Sequence, residues 1–388
     1  MTRLPRILLG VTADLSLTLM KGFPEYLRDR GWDVHVVSAP GPALTALATV
    51  PGITIHSIDM ARQPAPAQDA RSLLAWVCLL RRVRPDLISV GTPKAGLLGG
   101  IAGFLTRVPH RVYLLRGLRL ETSTGIERRI LVGLERLSIG VAHDVVAVSN
   151  SLRDRVVELG LVKSSKVRVL GRGSSNGVDV TAFAASFLGP DERVQLTDSL
   201  GIDDSVPVIG FVGRLTADKG LSVLADAREL LAGRGVDHQL LIVGGIDEGV
   251  TESLLNKITS TGREAIRTGH VSNPRPYYQV MDLLCLPTYR EGFPNVVLES
   301  AAAGIPTVTT DATGAVDSVI AGKTGTIVPV GSAEKLADAL EALVLDSALR
   351  KDMGAEALRH VKAHYDRTDV WERTHSYYLK LLDCSASR

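Results

Sequence analysis

Aromatic side chains make up only 4% of the 388 residues, and the chain has just three cysteines. The first scarcity removes the stacking surface on which single-stranded nucleic-acid binding is built, and no compact basic motif replaces it. The cysteines, Cys78, Cys285 and Cys384, are odd in number and far apart, and they fall mostly in apolar runs. That pattern argues against a disulfide framework or a zinc site and predicts reduced, buried thiols. No apolar run approaches the ~18 residues of a membrane span, and Met1 to Val11 lacks the apolar core and cleavage site of a signal peptide. The expectation is a cytoplasmic protein. The nine histidines follow no ligand spacing; His360 and His364 share a helical face without the His-Glu-x-x-His order, so no metal site is expected.

Charge is nearly balanced overall, at +2, but not along the chain. Residues 1–190 carry 24 Lys and Arg against 14 Asp and Glu. The first half is therefore basic and the remainder acidic. At this length one hydrophobic core is too small an answer, and two domains of ordinary size are expected.

Short β-rich runs alternate with amphipathic segments through both halves, which predicts parallel sheets covered on both faces. In the first half the strands are expected over 6–12, 33–39, 53–59, 87–92, 111–116, 144–149 and 167–171, with helices near 16–30, 69–84, 95–106, 125–140 and 151–159. The polar stretch 190–205 breaks this rhythm and is expected to be a linker. The pattern restarts with strands over 206–213, 239–244, 267–271, 283–287, 307–310 and 326–330. It closes with helices near 332–345, 347–364 and 367–383. The fold class is α/β, with a first domain over 1–190, a second over 205–365, and a final helical segment, 366–388, crossing back to the first.

The stretch around which the second half is organised is Tyr289-Arg290-Glu291-Gly292-Phe293-Pro294-Asn295, followed by an Ala-rich helix containing Glu299. Pro294 suits a helix start, where its missing N–H costs nothing. Glu291 then precedes a helix N-terminus, whose exposed N–H groups and positive dipole end favour an anion, while Glu299 lies inside the helix. Spacing alone is equally compatible with two solvated acids on a helix. A strand, a Gly-Pro loop and a helix nonetheless place the loop at the carboxyl edge of a parallel sheet, the usual ligand side. Upstream, Gly213-Arg214-Leu215-Thr216-Ala217-Asp218-Lys219-Gly220 follows the first strand of the same domain. An Arg and a Lys from one loop could neutralise a diphosphate leaving group without a metal. Two further phosphate-like signals are weaker. Ala321-Gly322-Lys323-Thr324 lacks the earlier glycine of a Walker loop and reads as a turn. Gly171-Arg172-Gly173-Ser174-Ser175-Asn176-Gly177 has the wrong spacing for a dinucleotide fingerprint and reads as a turn lining a cleft.

Taken together, Gly213-Arg214 with Lys219-Gly220, Glu291 with Glu299, and the Asn176-Gly177-Val178-Asp179 turn resemble the retaining, nucleotide-sugar-dependent glycosyltransferases of the GT4 family with the GT-B fold. The likeness covers essentially the whole chain. Ser16-Leu17, Ser38-Ala39-Pro40-Gly41, Thr92-Pro93-Lys94-Ala95-Gly96 and Leu115-Arg116-Gly117 are similar to the branch that builds lipid-linked bacterial surface glycans. The resemblance implies two Rossmann-like, doubly wound domains facing each other across a cleft. It implies that Arg214 and Lys219 bind the donor diphosphate, with Gly213 beside them, and that Glu291 touches the donor sugar. The backbone N–H groups of Phe293 and Asn295 would hold the sugar's hydroxyls or phosphate with Gly292 and Pro294 beside them in the donor site, Glu299 would hold the ribose, and His270 and Val271 would lie beside the base. Arg214, Lys219 and Glu291 are thus the implied catalytic residues. On the acceptor side it implies Ser16, Lys94, Gly96 and Arg116.

Two departures stand out. The Gly-Gly pair common after the first strand is replaced by Thr12-Ala13-Asp14-Leu15-Ser16, and a family histidine near 113–117 is absent. Arg116 either takes that histidine's place or pairs with Glu121. The implied activity is transfer of a hexose or N-acetylhexosamine from a UDP-sugar, with retention, to a lipid-linked saccharide or other glycan. No cofactor is expected beyond the nucleotide sugar, and no nucleic-acid partner. Asp14 and Glu121 are nucleophile candidates by position only. Transfer to a soluble small molecule, an epimerase on the same architecture, and a catalytically silent partner are the rival readings. Peripheral contact with the inner face of the plasma membrane through the basic first domain is expected, with Leu73 to Arg84 as either an apolar, basic edge or a buried helix.

Overall fold

The computed structural model describes residues 3–61, 65–184, 187–247 and 249–386. The side chain of Cys384 lies outside the described residues. The chain divides into two compact units, Met1–Asn176 with Thr368–Arg388, and Gly177–Arg367.

Unit 1 is built on seven strands: β1 (Arg6–Gly10), β2 (Asp33–Ser38), β3 (Ile53–Ser57), β4 (Leu87–Gly91), β5 (His110–Leu115), β6 (Asp144–Ala147) and β7 (Val167–Val169). They are all parallel, in the order β3-β2-β1-β4-β5-β6-β7. Strand alternation divides their side chains between two cores. Ile7 and Leu9 of β1 and Val34 and Val36 of β2 pack on one face with Tyr377 and Tyr378 of the last helix, Arg367–Ala386. Leu8, Val37, Ile88 and Val90 pack on the other with Trp76 and Leu80 of the Pro66–Val83 helix. Trp76 is fully buried there, so the 73–84 stretch packs one side on the sheet, while Leu74, Arg81, Arg82 and Arg84 are exposed on the other. Cys78, however, is exposed on that helix, against expectation, because its position falls on the turn facing away from Trp76 and Leu79. Cys285 is buried.

Unit 2 repeats the scheme with β8 (Val208–Val212), β9 (Gln239–Val243), β10 (Ile266–Gly269), β11 (Leu283–Leu286), β12 (Thr307–Thr310) and β13 (Gly325–Val328). The order is β10-β9-β8-β11-β12-β13, again all parallel. Both sheets are doubly wound, and each reverses direction beside its first strand, between β1 and β4 and between β8 and β11. Crevices at the carboxyl ends of such strands are where this architecture holds ligands.

The stretch expected as a linker instead contains a helix, Pro190–Leu200, within unit 2. Its signals are present: Pro190 at the first turn, Glu192 accepting from the Gly189 N–H at 2.9 Å, and a left-handed Gly201 at the end. Its polarity conceals it, since among its residues only Thr197 is buried.

One helix of unit 1 carries an outward apolar stripe and an inward carboxyl. In Gly125–Val141 the apolar Ile126, Ile130 and Leu137 are 76%, 53% and 45% exposed, whereas Glu135 points inward to Tyr113 of β5. Burial pushes the Glu135 carboxyl up from 4.5 to about 7, against the pull of its hydrogen bond with Tyr113. The unfolded carboxyl ionises first, so the folded state holds the extra proton between those values and stability falls as pH rises through them. Glu135→Gln, which keeps the shape and stays neutral, should be more stable than the native chain at pH 8 by up to about 3 kcal/mol and nearly equal to it at pH 5. Denaturant melts at the two pH values check this; equal stability at pH 8 would contradict it.

Candidate active site

The carboxyl edge of unit 2 is laced together by loop contacts between neighbouring strands. After β8, the Gly213 N–H donates to Val243 O at 3.0 Å and the Leu215 N–H to Gly245 O at 2.9 Å. The Gly244 N–H in turn donates to Gly269 O at 3.0 Å. These bonds bring Gly213 and Arg214 next to the end of β9, and that next to His270, which is exposed just beyond β10. Val271 beside it is half-buried.

On the other side of the reversal, the β8 loop is pressed onto the end of β11. Gly220 has φ +72°, and a Cβ there would sit 1.8 Å from Pro287 O, so only glycine fits. The Tyr289 N–H donates to Asp218 O at 2.9 Å and the Thr288 hydroxyl donates to the same oxygen at 3.1 Å. From β12 comes a third loop: the Glu291 N–H donates to Thr313 O at 2.9 Å. At Gly314, φ +78°, a Cβ would lie 2.4 Å from Gly292 O and 2.6 Å from Glu291 O.

Three ion pairs occupy this junction. Lys219 Nζ donates to Glu291 Oε1, both side chains being mostly buried. Arg290 pairs with Asp218 at 2.9 Å, and the more exposed Arg214 with Asp247 at 2.6 Å. Burial would raise the Asp218 carboxyl, but a hydrogen bond from Thr216 and the charges of Arg290, Lys219 and Arg214 hold it below the usual range. One carboxylate thus registers three cations at once. Arg290 and Asp218 went without a role in the reading of the sequence, although opposite charges on two loops flanking one strand reversal were a signal.

Past Glu291 the chain enters a helix, Asn295–Ala302, with Pro294 just before its first residue. Gly292, Phe293 and Pro294 are buried, and the Phe293 ring lies 5.3 Å from that of Tyr365. Asn295 is half-buried, and its Oδ1 is enclosed without a hydrogen-bond partner. Glu299 accepts from the Tyr278 hydroxyl at 2.8 Å. Burial raises the Glu299 carboxyl, outweighing the opposite pull of Tyr278 and Arg367. Tyr278 is thus a second partner that sequence spacing could not reveal. The assembled edge has backbone donors, a helix start and three cations, each already paired with a carboxylate. Chemically it suits a diphosphate, for which Lys219 must leave Glu291.

The remaining candidate residues lie in unit 1. Ser16 is in a tight turn, its N–H donating to Ala13 O at 2.9 Å. Lys94 pairs with Asp69 at 2.7 Å, and Gly96 is buried under the Tyr113 ring, where a Cβ would meet that ring at 2.3 Å. Asp14 accepts from the Ala43 N–H at 3.3 Å at the start of the Pro42–Ala48 helix, and Glu121 pairs with Arg155 at 3.4 Å. Arg116 makes no ion pair with Glu121.

The chain matches two families in sequence: Glycosyl transferase 4-like domain over residues 23–173 and Glycosyl transferases group 1 over residues 193–360. It is 35% identical over 378 residues to the capsular polysaccharide biosynthesis glycosyltransferase CapM of Staphylococcus aureus, covering 96% of each chain. It is 26% identical over 363 residues to the N,N'-diacetylbacillosaminyl-diphospho-undecaprenol alpha-1,3-N-acetylgalactosaminyltransferase of Campylobacter jejuni, covering 92% of each. In fold it is similar to Anabaena HepE, solved in complex with UDP and glucose, with a TM-score of 0.80 at 19% identity over 97% of this chain and 100% of that one. WaaG, a glycosyltransferase involved in lipopolysaccharide biosynthesis, matches with a TM-score of 0.71 at 17% identity over 95% of this chain and 98% of that one. With two parallel doubly wound sheets and a relative matched along nearly its whole length, the chain belongs to the GT4-type glycosyltransferases of the GT-B fold.

Proposed function

We propose that the protein moves a hexose or N-acetylhexosamine from UDP to a hydroxyl of a lipid-linked saccharide, with retention and without a metal. The observation that carries this reading is the Lys219–Glu291 pair at the β8–β11 reversal, with Arg214 and the Asn295 helix start on the same edge. A diphosphate gathers negative charge as its bond to the sugar breaks. Lys219 and Arg214 meet that charge directly, which is the role a divalent cation would otherwise fill. Once Lys219 turns to the phosphates, Glu291 is released to accept from sugar hydroxyls. Glu299, held by Tyr278, takes the ribose. Attack comes from the face the diphosphate leaves, and its oxygen accepts the acceptor's proton. The C. jejuni relative's diphospho-undecaprenol substrate and the UDP bound to HepE support the acceptor and donor classes.

A lipid-linked acceptor requires contact with a bilayer, and among the described residues no helix is long and apolar enough to cross one. The outward apolar stripe of Gly125–Val141 supplies the contact, flanked by exposed Arg129 and Arg136. Phe104 and Leu105, also exposed, end the adjacent Pro93–Leu105 helix. Apolar side chains beside arginines suit the inner face of an anionic membrane.

Lys219→Ala should lower kcat/KM by roughly 10² to 10³, the scale of removing one preorganised electrostatic donor, in assays containing EDTA. Glu299→Gln should act mainly through the donor KM, because a ribose contact is present before and during reaction. Near-native kinetics for Lys219→Ala, or turnover restored only by Mg²⁺ or Mn²⁺, would contradict the assignment. In liposome flotation, binding should need anionic lipid and fade as salt shortens the Debye length from ~10 Å to ~3 Å. The pair Ile126→Glu and Ile130→Glu should abolish it; unchanged flotation of that variant would remove the helix from the account.

A further inference from the structure

Unit 1 contains a half-buried cation without an anion among the described residues. Arg116 follows β5, and its side chain lies across the end of β4, where a Cβ on Gly91 would meet Arg116 Nε at 2.8 Å. Its Nη1 donates to Leu19 O at 3.0 Å, while Nε is enclosed with no hydrogen-bond partner. Among the described residues Arg116 forms no ion pair. Burial pushes its guanidinium down to about 10, and the only charge effect opposing this comes from the Tyr378 phenol.

Arg228 shows what a structural buried arginine looks like in the same chain. It is fully buried where Arg116 is only half-buried, and its three nitrogens donate to Ile258 O, to Arg263 O at 2.7 Å and to His238 Nε2 at 3.3 Å. Arg228 is satisfied by backbone carbonyls and faces no ligand space. Arg116 instead lines a cavity with Ser89, Ser174, Ser175, Asn176 and Tyr378. A half-buried guanidinium with one enclosed, unbonded nitrogen and no counter-ion is under-satisfied by its own chain and suited to an anionic partner from outside it.

The cavity wall is itself built at a conformational cost. Ser174 has φ +98°, a left-handed conformation unusual for a side-chain-bearing residue, and its N–H donates to Val148 O at 2.6 Å. This is the Gly171–Gly177 loop, whose glycine and serine content points to phosphate and whose spacing excludes a dinucleotide fold. Such strain persists where the surrounding structure has a use for it.

We infer that Arg116 and the Ser174–Ser175 turn form an oxyanion subsite in unit 1 for a phosphate or diphosphate group of the molecule that unit 1 binds. The planar fork of an arginine suits two oxygens of one phosphoryl group, and the serines beside it add neutral polar groups. For a lipid-linked acceptor the group would be its diphosphate, a detail that rests on the transferase reading above; the subsite itself does not.

The test is isothermal titration of inorganic pyrophosphate into the full chain carrying Lys219→Ala, which disables the cation of unit 2 and leaves unit 1 intact. Binding should persist in that background, resist competition by equimolar acetate, and weaken at least tenfold on adding Arg116→Met. Arg116→Lys, with the charge but not the fork, should fall between. Thermal melts supply an independent readout, since Arg116→Met should leave the Tm of the ligand-free protein unchanged or higher. No pyrophosphate binding in the Lys219→Ala background, equal competition by acetate, or a lowered Tm with unaltered affinity would overturn the inference. Loss of UDP binding by the native chain would instead strike the donor site and leave this one standing.

Discussion

The ion pair between Lys219 and Glu291 joins two loops that leave adjacent strands in opposite senses of the winding, and the rest of the carboxyl edge of unit 2 depends on that junction. Its closeness is steric before it is electrostatic. Gly220 against Pro287 and Gly314 against Glu291 and Gly292 let three loops stack with no room for a Cβ. The loops that carry these charges are thereby fixed against one another before any side chain changes partner. Each of the three cations is paired with a carboxylate, Lys219 with Glu291, Arg290 with Asp218 and Arg214 with Asp247. The pairs keep the lysine and arginines in place without leaving bare positive charge in a partly buried crevice.

The two units meet the same topological reversal with different chemistry. Between β1 and β4 the link is neutral: the Thr12 and Thr92 hydroxyls lie 2.8 Å apart, and Thr12 Oγ1 also accepts from the Ala95 N–H at 3.0 Å. Between β8 and β11 it is ionic. Hydroxyl pairs suit an edge that presents neutral groups, whereas exchangeable ion pairs suit one that takes up charge. Unit 1's cation is set apart from its own reversal link, at Arg116, in a cavity where no carboxylate answers it.

All thirteen strands were legible, because a strand buried on both faces reads as a short, nearly continuous apolar run such as Val208–Val212 or Leu283–Leu286. Long amphipathic helices such as Leu221–Gly233 and Ala333–Leu345 were legible for the matching reason. A helix with little buried surface was not, and Pro190–Leu200 passed for a linker. Periodicity located Gly125–Val141 without saying which side faces outward, since the presence of Glu135 on the inner face depends on Tyr113 from a different element. At the site, the residue types Lys219 and Glu291 could be named from motifs, but their contact, and those of Arg290 with Asp218 and Tyr278 with Glu299, join positions 21 to 72 residues apart. Only the fold brings those together.

The central claim is that the β8–β11 junction recognises a diphosphate through Lys219. Equilibrium titration of UDP and of UMP into the native chain and into Lys219→Met measures this most directly. The account predicts that the native chain binds UDP far more tightly than UMP, and that Lys219→Met loses this preference while binding UMP about as before. Equal affinity of the native chain for UDP and UMP, or a preference for UDP that survives in Lys219→Met, would contradict it.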